Sequence, residues 1–191
     1  MIAAPYQSYV DQDLANCALS FRYQTTTTSM SAYDVHEGSY LVNQKRNETA
    51  VREHLSFYYK TTLVGCITTQ FKHNNQKTGS RQYLASFSDI ELGEASKNLG
   101  IECLLLSTAL VQCYRSLGAN LYLIEAKAAN TQLNNTFYHY GFKAQQSSQD
   151  DQVTTWGNYC ENHPESKEAD FTNYLRQAVQ YTNQKILQMV A

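Results

Sequence analysis

The chain has 191 residues, 42% of them hydrophobic, which is enough for one sizeable core and a single domain over 1–191. Its 15 basic and 17 acidic residues leave no general cationic surface of the kind that displaces counterions from nucleic acid. No stretch approaches the roughly 20 apolar residues of a membrane span, and no basic start followed by an apolar run marks a signal peptide, so the expected compartment is the cytoplasm.

Cys17, Cys66, Cys103, Cys113 and Cys160 are odd in number, widely spaced and free of CxxC pairs, which predicts reduced thiols. Cys160 and His163 are close in sequence, but two candidate ligands do not make a zinc site, so no metal is predicted.

In chain order, residues 1–50 pattern weakly and read as a variable N-terminal part. Val10, Leu14, Cys17 and Phe21 have helical spacing, and Thr25 to Ser31 reads as a loop or an edge element. A core over 54–160 follows. Leu55–Tyr59 and Leu63–Phe71 read as a hairpin across Lys60–Thr62, and the polar stretch Lys72–Ser80 reads as a loop. Tyr83–Leu92 reads as the next strand. Leu104–Leu117 is the clearest helix, with Leu106, Leu110, Cys113 and Leu117 on its apolar stripe and Gly118 as its stop.

Leu121–Ala126 reads as a buried strand and Thr131–Tyr140 as a short helix ended by Gly141. A hairpin then joins Phe142–Ala144 to Val153–Tyr159. Over 165–190 a long helix shows an apolar stripe of Phe171, Leu175, Ala178, Val179, Ile186 and Met189, which must cover the sheet or a second subunit in a homodimer. The alternation predicts an α/β (mixed α+β) fold with helices on both faces of a mixed sheet.

The stretch with chemistry in it runs from Ile90 to Cys103. A strand ends, a polar turn follows, and a helix begins near Gly100. Unpaired N–H groups at a helix start, aided by the helix dipole, attract anions, and Gly100 removes the side chain that would block a phosphate.

With Glu125 near the end of the next strand, Asn130 before the next helix, and Phe137-Tyr138-His139-Tyr140-Gly141-Phe142 after it, this segment resembles the GNAT superfamily of N-acetyltransferases, over about Leu55 to Tyr159. The resemblance implies a mostly antiparallel sheet of six to seven strands flanked by helices, with the C-terminal helix as an extra. It implies that Lys97-Asn98-Leu99-Gly100-Ile101-Glu102 occupies the family's (Arg/Gln)-x-x-Gly-x-(Gly/Ala) loop for the pyrophosphate of acetyl-CoA, behind a strand ending Ile90 to Leu92. Asn130 and Gly141-Phe142 fit the family's later Asn…Gly-Phe spacing, and Asn130 is implied to bond the pantetheine arm.

Two departures stand out. Glu102 puts a carboxylate where the family has Gly or Ala. Phe137 falls where a tyrosine often protonates the leaving thiolate; either Tyr138, one residue later, serves, or there is no tyrosine acid, with Tyr140 a poorer third option. Glu125 is the first candidate base and Glu91 its competitor. The function implied is transfer of acetyl from acetyl-CoA to an amine of a small molecule or protein by direct attack, which needs no enzyme nucleophile. The competing implications are a degenerate fold that binds CoA or a protein partner, and a longer-chain acyltransferase. Neither nucleic acid nor membrane is an expected partner.

Overall fold

The computed structural model describes residues 12–33, 45–73, 83–96, 98–128, 131–147, 154–160 and 164–190. Its elements are β1 (Ser20–Tyr33), β2 (Lys45–Tyr59), β3 (Thr62–His73), β4 (Tyr83–Leu92), α1 (Ile101–Leu117), β5 (Leu121–Ala128), α2 (Thr131–His139), β6 (Lys143–Ser147), β7 (Thr154–Tyr159) and α3 (Pro164–Val190). The strands form one seven-stranded sheet in the order β1-β2-β3-β4-β5-β7-β6. Every neighbouring pair is antiparallel except β4 and β5. This is the mixed sheet flanked by helices, with an added C-terminal helix, that the sequence predicts.

Alternation along the strands sorts the two faces. Val51, Glu53, Leu55 and Phe57 of β2 lie beside Phe71, Thr69, Ile67 and Gly65 of β3, and all are buried. α1 packs on this face. A Cβ on Gly65 would come within 2.7 Å of Ile101 Cγ2, so the bare glycine lets the helix start lie close to the sheet. α2 shares the face, since Trp156 Nε1 of β7 donates to Asn134 Oδ1 at 2.7 Å and Phe137 packs against the Trp156 ring.

α3 lies over α1. The rings of Tyr114 and Phe171 meet at 5.3 Å, and Arg115 links α1 to Glu168 at 3.1 Å. α1 is therefore apolar nearly all round, with Leu104, Leu105, Leu110 and Tyr114 all in the core.

Several expectations are corrected. The helices were expected on both faces, but α1, α2 and α3 stack on one. The apolar stripe of α3 covers α1 rather than the sheet, and Met189 is not part of it, being 62% exposed. The helix expected from Val10 to Phe21 is, among the described residues, a helical turn at 12–14 closed by Cys17 N donating to Leu14 O. Leu14 lies in that turn and Phe21 in β1, so their seven-residue spacing imitates a helix. Of the two readings of the threonine-rich run, the edge element holds and the loop does not: the run lies in β1, the edge strand, which pairs with β2 along its whole length. β2 accordingly starts at Lys45, ahead of the expected Leu55. The loop read at Lys72–Ser80 falls, from residue 74 on, outside the described residues.

Candidate active site

The site is built where the one parallel pair comes apart. β4 and β5 pair from Tyr83↔Leu121 to Phe87↔Ala126. Beyond that, Ser88, Glu91 and Leu92 go on pairing with β3, while Lys127 and Ala128 go on pairing with β7. Among the described residues the facing edges of β4 and β5 then have no ladder partner, and a notch opens in the sheet. The cause is local: Ile67 alone faces both Asp89 and Ile90, a bulge in which Asp89 takes φ 49°. A bulge of this kind bends and twists its strand away from its neighbour.

β4 leads into the start of α1. Gly93 N donates to Val64 O, and Ser96 Oγ donates to Gly93 O at 2.5 Å, closing the turn. Leu99 and Ile101 are buried and anchor the loop from below. Asn98 and the N-cap Gly100 both take φ 69°, in the left-handed region. The backbone N–H groups of the first helical turn have no partners within the helix.

The space above Gly100 differs from the sequence-based expectation. Instead of open room for a phosphate, an edge of the Tyr181 ring from α3 lies there, and an added Cβ would fall 2.8 Å from Tyr181 Cδ1. Thr182 Oγ1 donates to Leu99 O at 2.9 Å and fastens α3 to the loop. Beside this contact is a cleft of about 560 Å³ whose walls include Asn98, Glu102, Cys103, Tyr140, Tyr174 and Tyr181.

The two candidate bases lie on the sheet face opposite α1, but apart. Glu125 is half-buried next to Ser86 and Gly157, at the closed end of the notch. Glu91 is exposed further along β4, on the order of 15 Å away at the rise of a strand. One proton on an acceptor cannot be within reach of both. Beside Glu91, Cys66 Sγ donates to Asp89 O at 3.7 Å. Burial first, and then the Glu91 charge, push the Cys66 thiol up, which disfavours its thiolate. On the same face the His54 Nδ1 and Thr68 Oγ1 atoms are 3.0 Å apart.

Of the other expected residues, Ile90 and Leu92 are half-buried at the notch and Glu102 is half-buried on the cleft wall. Phe137 is fully buried against Phe142 and Trp156. Tyr138 is 75% exposed and turned away from the core. Tyr140 is buried, its hydroxyl donating to Cys103 O at 3.4 Å, and burial pushes its phenol up. Lys97, Asn130 and His163 lie outside the described residues. All five cysteines are free thiols, and among the described residues no cluster of three or more metal-ligating side chains occurs. No described helix is long and apolar enough to cross a membrane. Sequence reasoning missed Cys103, Tyr174 and Tyr181 as cleft residues; the run of tyrosines beside the apolar stripe of α3 was the available signal.

Among solved structures the chain is similar to an acetyltransferase of the GNAT family from Streptococcus pneumoniae, at 14% identity over 58% of this chain and 67% of that one, with a TM-score of 0.46. It is similar to NAA60 of Arabidopsis thaliana in complex with a bisubstrate analogue, at 11% identity over 56% and 75% of the two chains, with a TM-score of 0.46. It is also similar to Ard1 of Thermoplasma volcanium, at 15% identity over 57% and 71%, with a TM-score of 0.43. No family model matches the chain, and no curated protein does.

Proposed function

We propose that the chain is an N-acetyltransferase that moves an acetyl group from acetyl-CoA to a primary amine by direct attack. The observation that carries this reading is the notch between β4 and β5, which opens next to the amide-lined start of α1 at Gly100. A long, narrow coenzyme with a diphosphate at its middle fits such a pair of features: free strand edges for an amide-containing arm, and helix N–H groups for the anion. The coenzyme supplies an acyl group already activated as a thioester.

The chain's own residues then have few tasks. The loop from Asn98 to Glu102 holds the diphosphate through its backbone, with Lys97, outside the described residues, implied beside it by the sequence resemblance. Ile90 and Leu92 flank the arm from β4, and Asn130, outside the described residues, is the residue that the sequence resemblance implies for bonding it. Phe137 backs this region from the core. Glu125, at the closed end of the notch, accepts the proton of the incoming ammonium, directly or through a water. Glu91, nearer the mouth, stands aside from that proton. With Tyr138 turned to solvent, the thiolate leaves without a tyrosine acid. Much of the acceleration comes from holding the two reactants together. The acceptor is a small-molecule amine or a protein amino group.

A second reading, a degenerate fold that binds CoA or a protein partner without turnover, is favoured by the outward Tyr138 and by Glu102 on the cleft wall. The two part cleanly in one assay. Purified protein, acetyl-CoA and a panel of alkylamines, polyamines and peptides with free N-termini are incubated together, and free thiol is followed. Amine-dependent thiol release is expected. Coenzyme binding with no release across the panel would favour the second reading.

A further inference from the structure

The cleft beside Gly100 has a composition that a diphosphate alone does not explain. Tyr140, Tyr174 and Tyr181 form much of its wall, and two of these come from α3, outside the stretch that resembles the GNAT superfamily. Tyr181 approaches Gly100 by its Cδ1 and Cε1 atoms, and the residue is 46% exposed. Lys185 Nζ sits over it at 5.4 Å from the centroid. The Thr182 hydrogen bond to Leu99 O and the φ of Gly100 fix the ring's place relative to α1. Glu102, half-buried on the same wall, is a poor neighbour for a phosphate but a good acceptor for an amino N–H.

A flat, aromatic ligand bearing an amino group and attached to phosphates meets all of these features at once. The coenzyme bound at the notch has such a group at its far end. Resting on the coenzyme reading above, we propose that α3 completes the coenzyme site. Tyr181 stacks the adenine ring, and Glu102 accepts a hydrogen bond from its exocyclic amino group. Lys185, already held over the ring, turns to a phosphate. On this account the carboxylate at position 102 and the tyrosine over Gly100, each unfavourable to a bare phosphate cradle, belong to a single base-binding pocket.

The test is equilibrium binding of coenzyme A and of its 1,N6-etheno analogue, in which the amino group is blocked. Base–aromatic stacking worth about 1–3 kcal/mol gives an expected loss of tenfold or more in coenzyme A affinity for Tyr181→Ala, with Tyr181→Phe close to the unmodified protein. On the unmodified protein the etheno analogue binds several-fold more weakly than coenzyme A. Glu102→Ala removes that difference by weakening coenzyme A alone. Tighter coenzyme A binding in either alanine variant would overturn the proposal, because the side chain would then be an obstacle. So would equal affinity for the two ligands on the unmodified protein, a measurement that needs no variant to fold. Failure of the unmodified protein to bind coenzyme A at all would instead remove the coenzyme reading itself.

Discussion

Two carboxylates on the same sheet are treated in opposite ways. Glu53 points from β2 under α1, is 3% exposed, and accepts a hydrogen bond from Gln112 Nε2, while its Oε1 has no hydrogen-bond partner. Burial pushes its acid up to about 7. Glu125 points from β5 to the opposite face, half-buried at the end of the notch. A perturbed carboxyl in a protein is often a catalytic one. Here the perturbed group is sealed between a strand and a helix, and the proposed base is the other. The shift in acidity of Glu53 reports burial, partly offset by the Gln112 hydrogen bond, and not reach into an open site.

The largest expected effect falls on the notch side. Glu125→Gln should lower turnover by about a hundredfold or more, the range for loss of a general base, with coenzyme affinity unchanged. Unaltered turnover would make Glu125 an ordinary strand carboxylate and erase the contrast.

The buried side should show itself through pH. A carboxyl raised from 4.5 to about 7 in the folded protein is protonated in both states at low pH, so its contribution is fully present there. As pH rises, the unfolded chain ionises first, and stability falls until the folded group also ionises near 7. The loss approaches about 3 kcal/mol by pH 8. Urea midpoints measured between pH 4 and 8 should decline for the unmodified protein and decline much less for Glu53→Gln. Parallel curves would show that Glu53 is not the titrating group.

The contact between α3 and the start of α1 comes next. Gly100→Ala places a Cβ against the Tyr181 ring in a left-handed backbone, a strain of about 1–2 kcal/mol before the ring moves. A fall of at least that size in unfolding free energy is expected by urea titration; no change would mean that neither the backbone nor the Tyr181 ring resists the added methyl group. The smallest effect should come from Tyr138→Phe, with kcat within about twofold of the unmodified protein, because the side chain is 75% exposed and turned away from the core. A large fall would restore Tyr138 as the acid and require α2 to turn.

The sequence made the central elements legible because they are periodic and local. β4 has the bounds its pattern predicts, and α1 extends the predicted helix by one turn at its start. The glycine at the start of α1 and the acid at the end of β5 follow from the same local order. What stayed hidden depends on distant partners. The burial of Glu53 is set by Gln112, 59 residues away, and nothing around an acid in a polar stretch announces it. Tyr181 reaches Gly100 across 81 positions, so the tyrosines beside the apolar stripe could signal a special surface but not which loop it meets. β1 was legible only as a loop or an edge element, because a run of threonines has no alternation of apolar and polar residues to mark a strand. The outward turn of Tyr138 was legible in principle, since it follows Phe137 by one position and neighbouring helical residues lie about 100° apart.

The most direct test of the coenzyme site is a calorimetric titration of acetyl-CoA into the unmodified protein. The notch and the start of α1 predict saturable binding with Kd in the micromolar range. Absence of binding at millimolar acetyl-CoA would contradict it.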